Sequence, residues 1–547
     1  MRFSIVICCL VFHIQTWAQQ EISHPSGVYA QPFELEIAPS KNQQIYFTTD
    51  GSDPVEKGTL YDVPIAIGSE STVPPAIDQI PTTPEEGPWQ LSWFQWKRPK
   101  PTTPDVWIVR YCIFENEVVK ATETLTYFIG KHWKKKHDFP VISLVTDREN
   151  LFSADSGIFV PGDDYTLDGW DSTFFGNGNY TKKGKLWERD VHFHLFDTTM
   201  QSKQQYSARM RLHGAVVGVL PQKSMRIYTD KTKDGRPLQW QFLNATDSLE
   251  SARFVLRNSG SDFVSTHFRD AFLGTVAADL GLEHQKTAPV VVYINGIYWG
   301  VFNIRERIDR FYMQNHFGLD REAYDMIEGT GSDVLNGSNQ SYIDILTLLY
   351  KNDASEDSVF ALVEKALDID NYIDYTLFET YFCNMDWPGN NVKFWRPKEG
   401  KWRWIFFDGD LMMSKYVFNG DGGYEHNALA HAMADTNNQW YNSKGSTYLL
   451  RNLMKNASFR DRFVARYHEL SETLFSENYL LELLDSFHDE YASEMPRQID
   501  RWGYPQSMAE WSIEVEKLKR FVRERGKYFE AHLEAQVYEN KQVKDKR

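Results

Sequence analysis

The chain has 547 residues, 42% hydrophobic and 24% charged, which excludes a largely disordered polymer and allows two to four domains at about 150 residues each. Its 59 basic and 75 acidic side chains leave a net charge of -16, so it lacks the basic excess of a nucleic-acid binder. Aromatic residues reach 15%, an excess found where surfaces grip sugars or peptides.

Residues 1–18 read as a signal peptide: Arg2 is the short positive end, Ile5 to Ile14 the apolar stretch, and Thr16-Trp17-Ala18 the cleavage site. The expected product is exported, whether periplasmic, cell-surface or secreted. No later segment approaches the ~20 apolar residues of a membrane helix, so no membrane span is expected after cleavage. Cys112 and Cys383 then remain, and one disulfide is allowed without being required.

Residues 19–130 alternate apolar and polar side chains over Gly27 to Ile37 and Gln44 to Thr49, ending in the turn formers Asp50-Gly51-Ser52-Asp53-Pro54. Further strand-like runs at Asp105 to Phe114 and Val118 to Phe128 come after a Pro/Thr-rich loop over 70–104. Short strands at this spacing predict a β-sandwich. The segment SGVYAQPFELEIAPSKNQQIYFTTDGSDP resembles the chitobiase/hexosaminidase C-terminal-like module, which implies a fibronectin-like fold and says little about activity.

From residue 131 the pattern is α+β. Phe139 to Val145, Val191 to Phe196 and Ala208 to Leu212 are buried-strand candidates, and residues 160–186 form a Gly- and Asp-rich loop. Asn295-Gly296 between two apolar runs predicts a hairpin, because both residues accept positive φ. Helical spacing recurs over Ile343 to Tyr350, Val359 to Leu367 and around Tyr372 to Phe382, then a strand at Trp402 to Phe407. Helices are expected over 447–470, 475–493 and 508–537, and a solvated tail over 541–547.

Three segments carry candidate chemistry. They are Arg211-Leu-His-Gly214 with Pro221-Gln-Lys-Ser-Met-Arg-Ile227, Asn295-Gly-Ile-Tyr-Trp-Gly300 with Asn303-Ile-Arg-Glu-Arg-Ile-Asp309, and Asn384-Met-Asp-Trp-Pro-Gly-Asn-Asn391 with Trp402-Arg-Trp-Ile-Phe-Phe-Asp-Gly-Asp410. Phosphoryl transfer needs a carboxylate at the acceptor hydroxyl and oxygen ligands for magnesium. Asp386 and Asn391 have the D-x-x-x-x-N spacing of a kinase catalytic loop, and the turn Trp387-Pro388-Gly389 is expected to project Asp386 outward. Asp408 ends an apolar strand, and Asp410 faces the same way if that strand continues. The plain alternative is that Asp386 and Asn391 cap a turn. Asp408-Gly-Asp410 also matches the D-x-D of metal-dependent glycosyltransferases, but the nucleotide-binding parallel sheet expected before it is missing.

In order, these segments, with FPVISLVTDRENLF before them, resemble the spore-coat protein H (CotH) kinase family over roughly residues 138–420. The resemblance implies an atypical protein-kinase-like domain over 131–540, a helical C-terminal part, and use of ATP with Mg2+ or Mn2+. It further implies Asp386 as catalytic base or its substitute and Asn391 and Asp408 as metal ligands, with Asp410 a possible second carboxylate and Asn390 competing with Asn391. Lys223 becomes the phosphate lysine, paired with Glu306, although each has a bland reading as an exposed strand lysine and a solvated charge at a helix start. Arg211 and Arg257 are further candidates for phosphate contact, with a bland surface reading of equal weight, Asp309 could equally cap that helix, and His213 reads as structural. The expected function is an exported kinase acting on Ser or Thr of a protein. The alternative is a non-catalytic scaffold binding a cell-surface glycan or protein.

Overall fold

The computed structural model describes residues 21–69, 72, 75–84, 95–101, 106–165, 178–214, 216–243, 249–415, 422–436 and 438–539. The expected signal peptide, the tail and part of the 160–186 loop lie outside the described residues. At the N-terminus the strands Gly27–Tyr29, Val118–Ile129, Val106–Glu115, Gln43–Thr48 and Thr59–Leu60 form one sheet in that order. A second, two-stranded sheet pairs Phe33–Leu35 with Ile65–Ile67. Their alternating apolar side chains, among them Leu35, Ile45, Ile67, Val109 and Tyr127, meet between the layers as the sandwich core.

The sandwich is fastened to the barrel that succeeds it in the chain. Gly51, at φ +88°, closes the turn so tightly that a Cβ there would lie 2.7 Å from both the Thr146 carbonyl and the Asn295 side chain. Only glycine tolerates that conformation and that approach. Lys57 adds an ion pair to Asp147 at 2.9 Å.

The barrel is closed and seven-stranded, in the order Ser202–Leu212, Met225–Tyr228, Arg253–Arg257, Ile297–Glu306, Thr287–Ile294, Val141–Val145 and Arg189–Phe196. Ile142, Leu144, Phe193, Met210, Ile227, Phe254, Leu256 and Phe302 fill its interior. The predicted hairpin is present: Asn295 and Gly296 take φ +46° and +81° between the Thr287–Ile294 and Ile297–Glu306 strands. Asn295 also bonds both the N–H and the C=O of Thr146, at 2.9 and 2.8 Å.

A further five-stranded sheet has the order Glu283–His284, Arg403–Phe406, Lys393–Pro397, Tyr324–Glu328 and Asp333–Asn336. Helices Gln340–Lys351, Asp357–Ala366 and Ile369–Tyr381 pack on it, and the C-terminal part runs through Tyr448–Leu453, Ala457–Glu472, Glu477–Ala492, Met495–Trp502 and Met508–Glu534. In the last helix Ser507 caps the Glu510 N–H at 3.2 Å, and Trp511, Val515, Leu518, Val522, Phe529 and Leu533 form its buried stripe. Arg525 lies on the same stripe and donates to the carbonyls of Thr380, Tyr381, Tyr424 and His426 at 2.7–2.8 Å. Two of these carbonyls are at the end of the Ile369–Tyr381 helix, so Arg525 fixes the exit that leads to Asp386.

Cys112 and Cys383 are both buried, and the disulfide that the sequence allows between them is not formed. Among the described residues no helix is long and apolar enough to cross a membrane.

Candidate active site

Side chains alternate across the barrel wall. On Arg253–Arg257, Phe254 and Leu256 enter the barrel core, while Arg253, Val255 and Arg257 face outward. Strand register sets Arg226 opposite Val255 and Val255 opposite Arg305, so the arginines of three strands share one face. That face opposes Tyr324, Met326, Glu328, Lys393, Phe407 and Asp408, from the five-stranded sheet and the segment just after it, across a cavity of about 620 Å³. Eight cationic side chains (Arg226, Arg253, Arg257, Arg305, Arg307, Arg310, Arg321 and Lys393) and three carboxylates (Asp309, Glu328 and Asp408) line it. On a chain of net charge -16, this concentration of positive charge marks an anion site.

Part of that charge is internally balanced. One nitrogen of Arg257, Nη2, donates to Asp408 Oδ1 and to Asp410 Oδ2, the latter at 2.6 Å, and Arg257 Nε stands 3.7 Å from Asp270 Oδ2. Arg305 pairs with the same Asp270, whose other oxygen accepts from Gly409 N at 3.0 Å. Burial opposes the Arg257 charge, but Asp408, Asp410 and Asp270 outweigh it and raise its pKa. Burial, then the Asp408 charge, pushes the Asp410 carboxyl up. Arg226 is different: its Nε donates to His213 Nδ1 at 2.7 Å, and burial, then the Arg226 charge, holds the imidazole well below its usual pKa. Its partner is therefore neutral, and the Arg226 charge remains available to a ligand.

The structure redistributes the residues singled out in the sequence. Lys223 does not line the cavity. It is fully buried, donates to Gly218 O at 2.8 Å, and places its ammonium 4.2 Å from the Tyr180 ring centre. Burial lowers its pKa well below that of an ordinary lysine. Nor does it pair with Glu306, which is also buried and accepts from His316 Nε2 at 3.0 Å. Lys223 precedes the Met225–Tyr228 strand and is held by the Gly218 carbonyl, whereas Arg226, on that strand between the core residues Met225 and Ile227, takes the cleft side. Arg211 sits over the Tyr228 ring at 5.6 Å and is not among the cavity's lining residues.

Asp386 is not projected outward, being 9% exposed, with Oδ2 accepting from Asn390 Nδ2 at 3.4 Å and from Asn391 Nδ2 at 3.3 Å. The turn folds back because Gly389 N donates to Tyr441 O at 2.8 Å. Asp408 and Asp410 do reach one point, but not by strand alternation. The strand ends at Phe406, Asp408 takes φ +67°, and Ser261 N donates to Asp410 Oδ2 at 2.8 Å. Thus Asp386 meets Asn390 and Asn391, while Asp408 and Asp410 meet at Arg257. Lys393 pairs with Ile405, so Asn391, two residues before, and Asp408, three residues after, leave the same end of one hairpin. Two neighbouring clusters replace the single cluster expected.

Sequence alone assigns no site role to Arg226, Arg305, Lys393 or Asp270. Arg305 reads there as a solvated neighbour of Glu306, and Arg226 as a strand residue facing away from Lys223. Asp270 belongs to no motif at all.

Among the described residues no group of three or more His, Cys, Asp or Glu side chains is placed to hold a metal ion. The chemistry of Asp408 and Asp410 nevertheless fits magnesium or manganese, since two hard oxygens converge on one cationic atom. Arg257 holds that position.

The family model described as CotH kinase protein matches residues 210–529, and one described as Fn3 associated matches residues 33–123. No curated protein matches in sequence. Among solved structures, the crystal structure of a Helicobacter pylori proinflammatory kinase, CtkA, aligns at 12% identity and a TM-score of 0.27, covering 53% of this chain and 92% of that one. The CotH match spans more than half of the sequence and contains both acidic clusters and the arginine wall. The chain belongs to the CotH kinase protein family.

Proposed function

We propose that the protein is an exported atypical kinase that binds ATP in the arginine-lined cleft and transfers its γ-phosphoryl group to Ser or Thr hydroxyls of a protein. The observation that carries this reading is the cavity of about 620 Å³ itself, with eight cationic groups, Asp408 at its inner edge, and Val255, Ile308, Met326 and Phe407 as apolar surface for a base. Arg226 and Arg305 bind phosphate oxygens, to which guanidinium forks are matched. Asp386 accepts the proton of the acceptor hydroxyl while that oxygen bonds to the γ-phosphorus and the bond to the β-γ bridging oxygen breaks, releasing ADP. Asn390 and Asn391 orient the Asp386 carboxylate through their donated hydrogen bonds. Asp408 and Asp410 would hold Mg2+ or Mn2+, which when bound would offset phosphate charge.

A second reading, a non-catalytic scaffold at the cell surface, is favoured by the closure of both acidic clusters on amides and a guanidinium. Transfer of label from γ-labelled ATP to casein, with Mg2+ or Mn2+, separates the two. The kinase reading predicts labelled Ser or Thr with the parent and none with Asp386→Asn. Absence of both transfer and nucleotide binding in the parent leaves the scaffold.

A further inference from the structure

Arg257 is 5% exposed and occupies the point where a cation would be held between Asp408 and Asp410. The arrangement is enclosed: a Cβ on Gly260 would lie 1.8 Å from Asp410 Oδ2 and 2.5 Å from Arg257 Nη2. Yet Arg257 and Asp408 both line the cavity, so the guanidinium has an open side toward any anion bound there. A divalent cation arriving alone would have to take two of the three carboxylates from a buried guanidinium, leaving it Asp270 at 3.7 Å, and an underpaired buried charge is costly. A triphosphate arriving with the cation supplies the missing partner.

We propose that Arg257 is an exchange group: it holds Asp408 and Asp410 until phosphate oxygens draw it into the cleft, so that metal and nucleotide enter only together. The claim rests on the nucleotide reading of the cleft and adds to it an order of binding. Charge balances across the exchange, since a doubly charged ion takes over the two carboxylates while the guanidinium passes to the phosphates. Linkage makes the coupling reciprocal, each ligand tightening the other by the same factor.

The test is a Mn2+ titration monitored by electron paramagnetic resonance, with and without a non-hydrolysable ATP analogue, on the full chain and on Arg257→Gln. Analogue binding to the parent with Mn2+ present is measured first, and its absence overturns the nucleotide reading and this inference with it. Given analogue binding, the parent is expected to retain Mn2+ at least about tenfold more tightly with the analogue than without. Arg257→Gln is expected to retain Mn2+ alone and to lose the coupling. Equal Mn2+ affinity in the parent with and without analogue overturns the exchange while leaving the nucleotide site standing. Because the analogue's phosphates themselves bind Mn2+, coupling that persists in Arg257→Gln also overturns the exchange, and equal Mn2+ affinity in the parent overturns it even if Arg257→Gln fails to fold.

Discussion

Polar groups sealed within the protein and polar groups facing the cleft obey different rules. On the sealed side, Lys223 lies against Tyr180 with a carbonyl for its ammonium, and Arg525 spends its guanidinium on four backbone carbonyls. Glu379 meets the amide of Asn384 at 2.7 Å, and burial pushes its carboxyl up to about 8. On the cleft side, Arg226 faces a neutral imidazole, and Arg321 Nε donates to the Asn336 amide oxygen at 3.0 Å. The first set satisfies hydrogen bonds and stabilises the fold. The second carries charge left over for a ligand. Being basic or acidic in the sequence does not tell the two apart.

The largest expected effect is at Asp386, which the kinase reading makes the base for the acceptor hydroxyl. Asp386→Asn keeps the size of the side chain and should leave nucleotide affinity unchanged while lowering kcat by about 10²–10⁴-fold, measured by phosphate transfer at saturating ATP. Equal kcat would return Asp386 to a turn-capping role.

On the sealed side, Glu379 makes stability depend on pH. Its folded pKa is raised from an ordinary 4.5 to about 8, so its contribution is fully present below about 4.5 and is lost as pH rises through about 8. Asn384 Oδ1 accepts from Asp386 N at 3.1 Å, which ties this loss to the turn that carries Asp386. Glu379→Gln, neutral throughout, should flatten the fall in Tm across that window, read by thermal denaturation. A Tm profile unaltered by the substitution would mean Glu379 does not carry the effect. The smallest effect is expected from Lys223→Met: with no ion pair to lose, folding stability should change by about 1 kcal/mol or less in denaturant titration. A loss of several kcal/mol would reveal a charge partner for this ammonium.

Local rules made much of the fold legible. The Asn295-Gly296 hairpin and the long C-terminal helices arise from turn chemistry and periodicity, and the all-buried Val141–Val145 strand from an unbroken apolar run. The strands Tyr324–Glu328, Asp333–Asn336 and Lys393–Pro397 have only four or five residues each, too few for alternation to register. The Met495–Trp502 helix is a single eight-residue element, with Pro496 in its first turn and Gly503 at its C-cap.

The site was half legible. Spacing alone picks out Asp386, Asn391 and Asp408, because a catalytic loop and the strand after it are close in the chain. It does not pick out the cleft wall. Strand alternation separates Lys223 from Arg226 without saying which face meets a second sheet. The contact that decides it, Arg257 with Asp408, joins residues 151 positions apart.

The arginine face as the phosphate-binding wall is therefore the central claim, and the affinity of a fluorescent ATP analogue for Arg226→Ala and Lys223→Met, measured side by side, tests it most directly. The account predicts about tenfold weaker binding for Arg226→Ala, equivalent to about 1.4 kcal/mol, and binding within about twofold of the parent for Lys223→Met. Loss of binding in Lys223→Met with Arg226→Ala unchanged would contradict it.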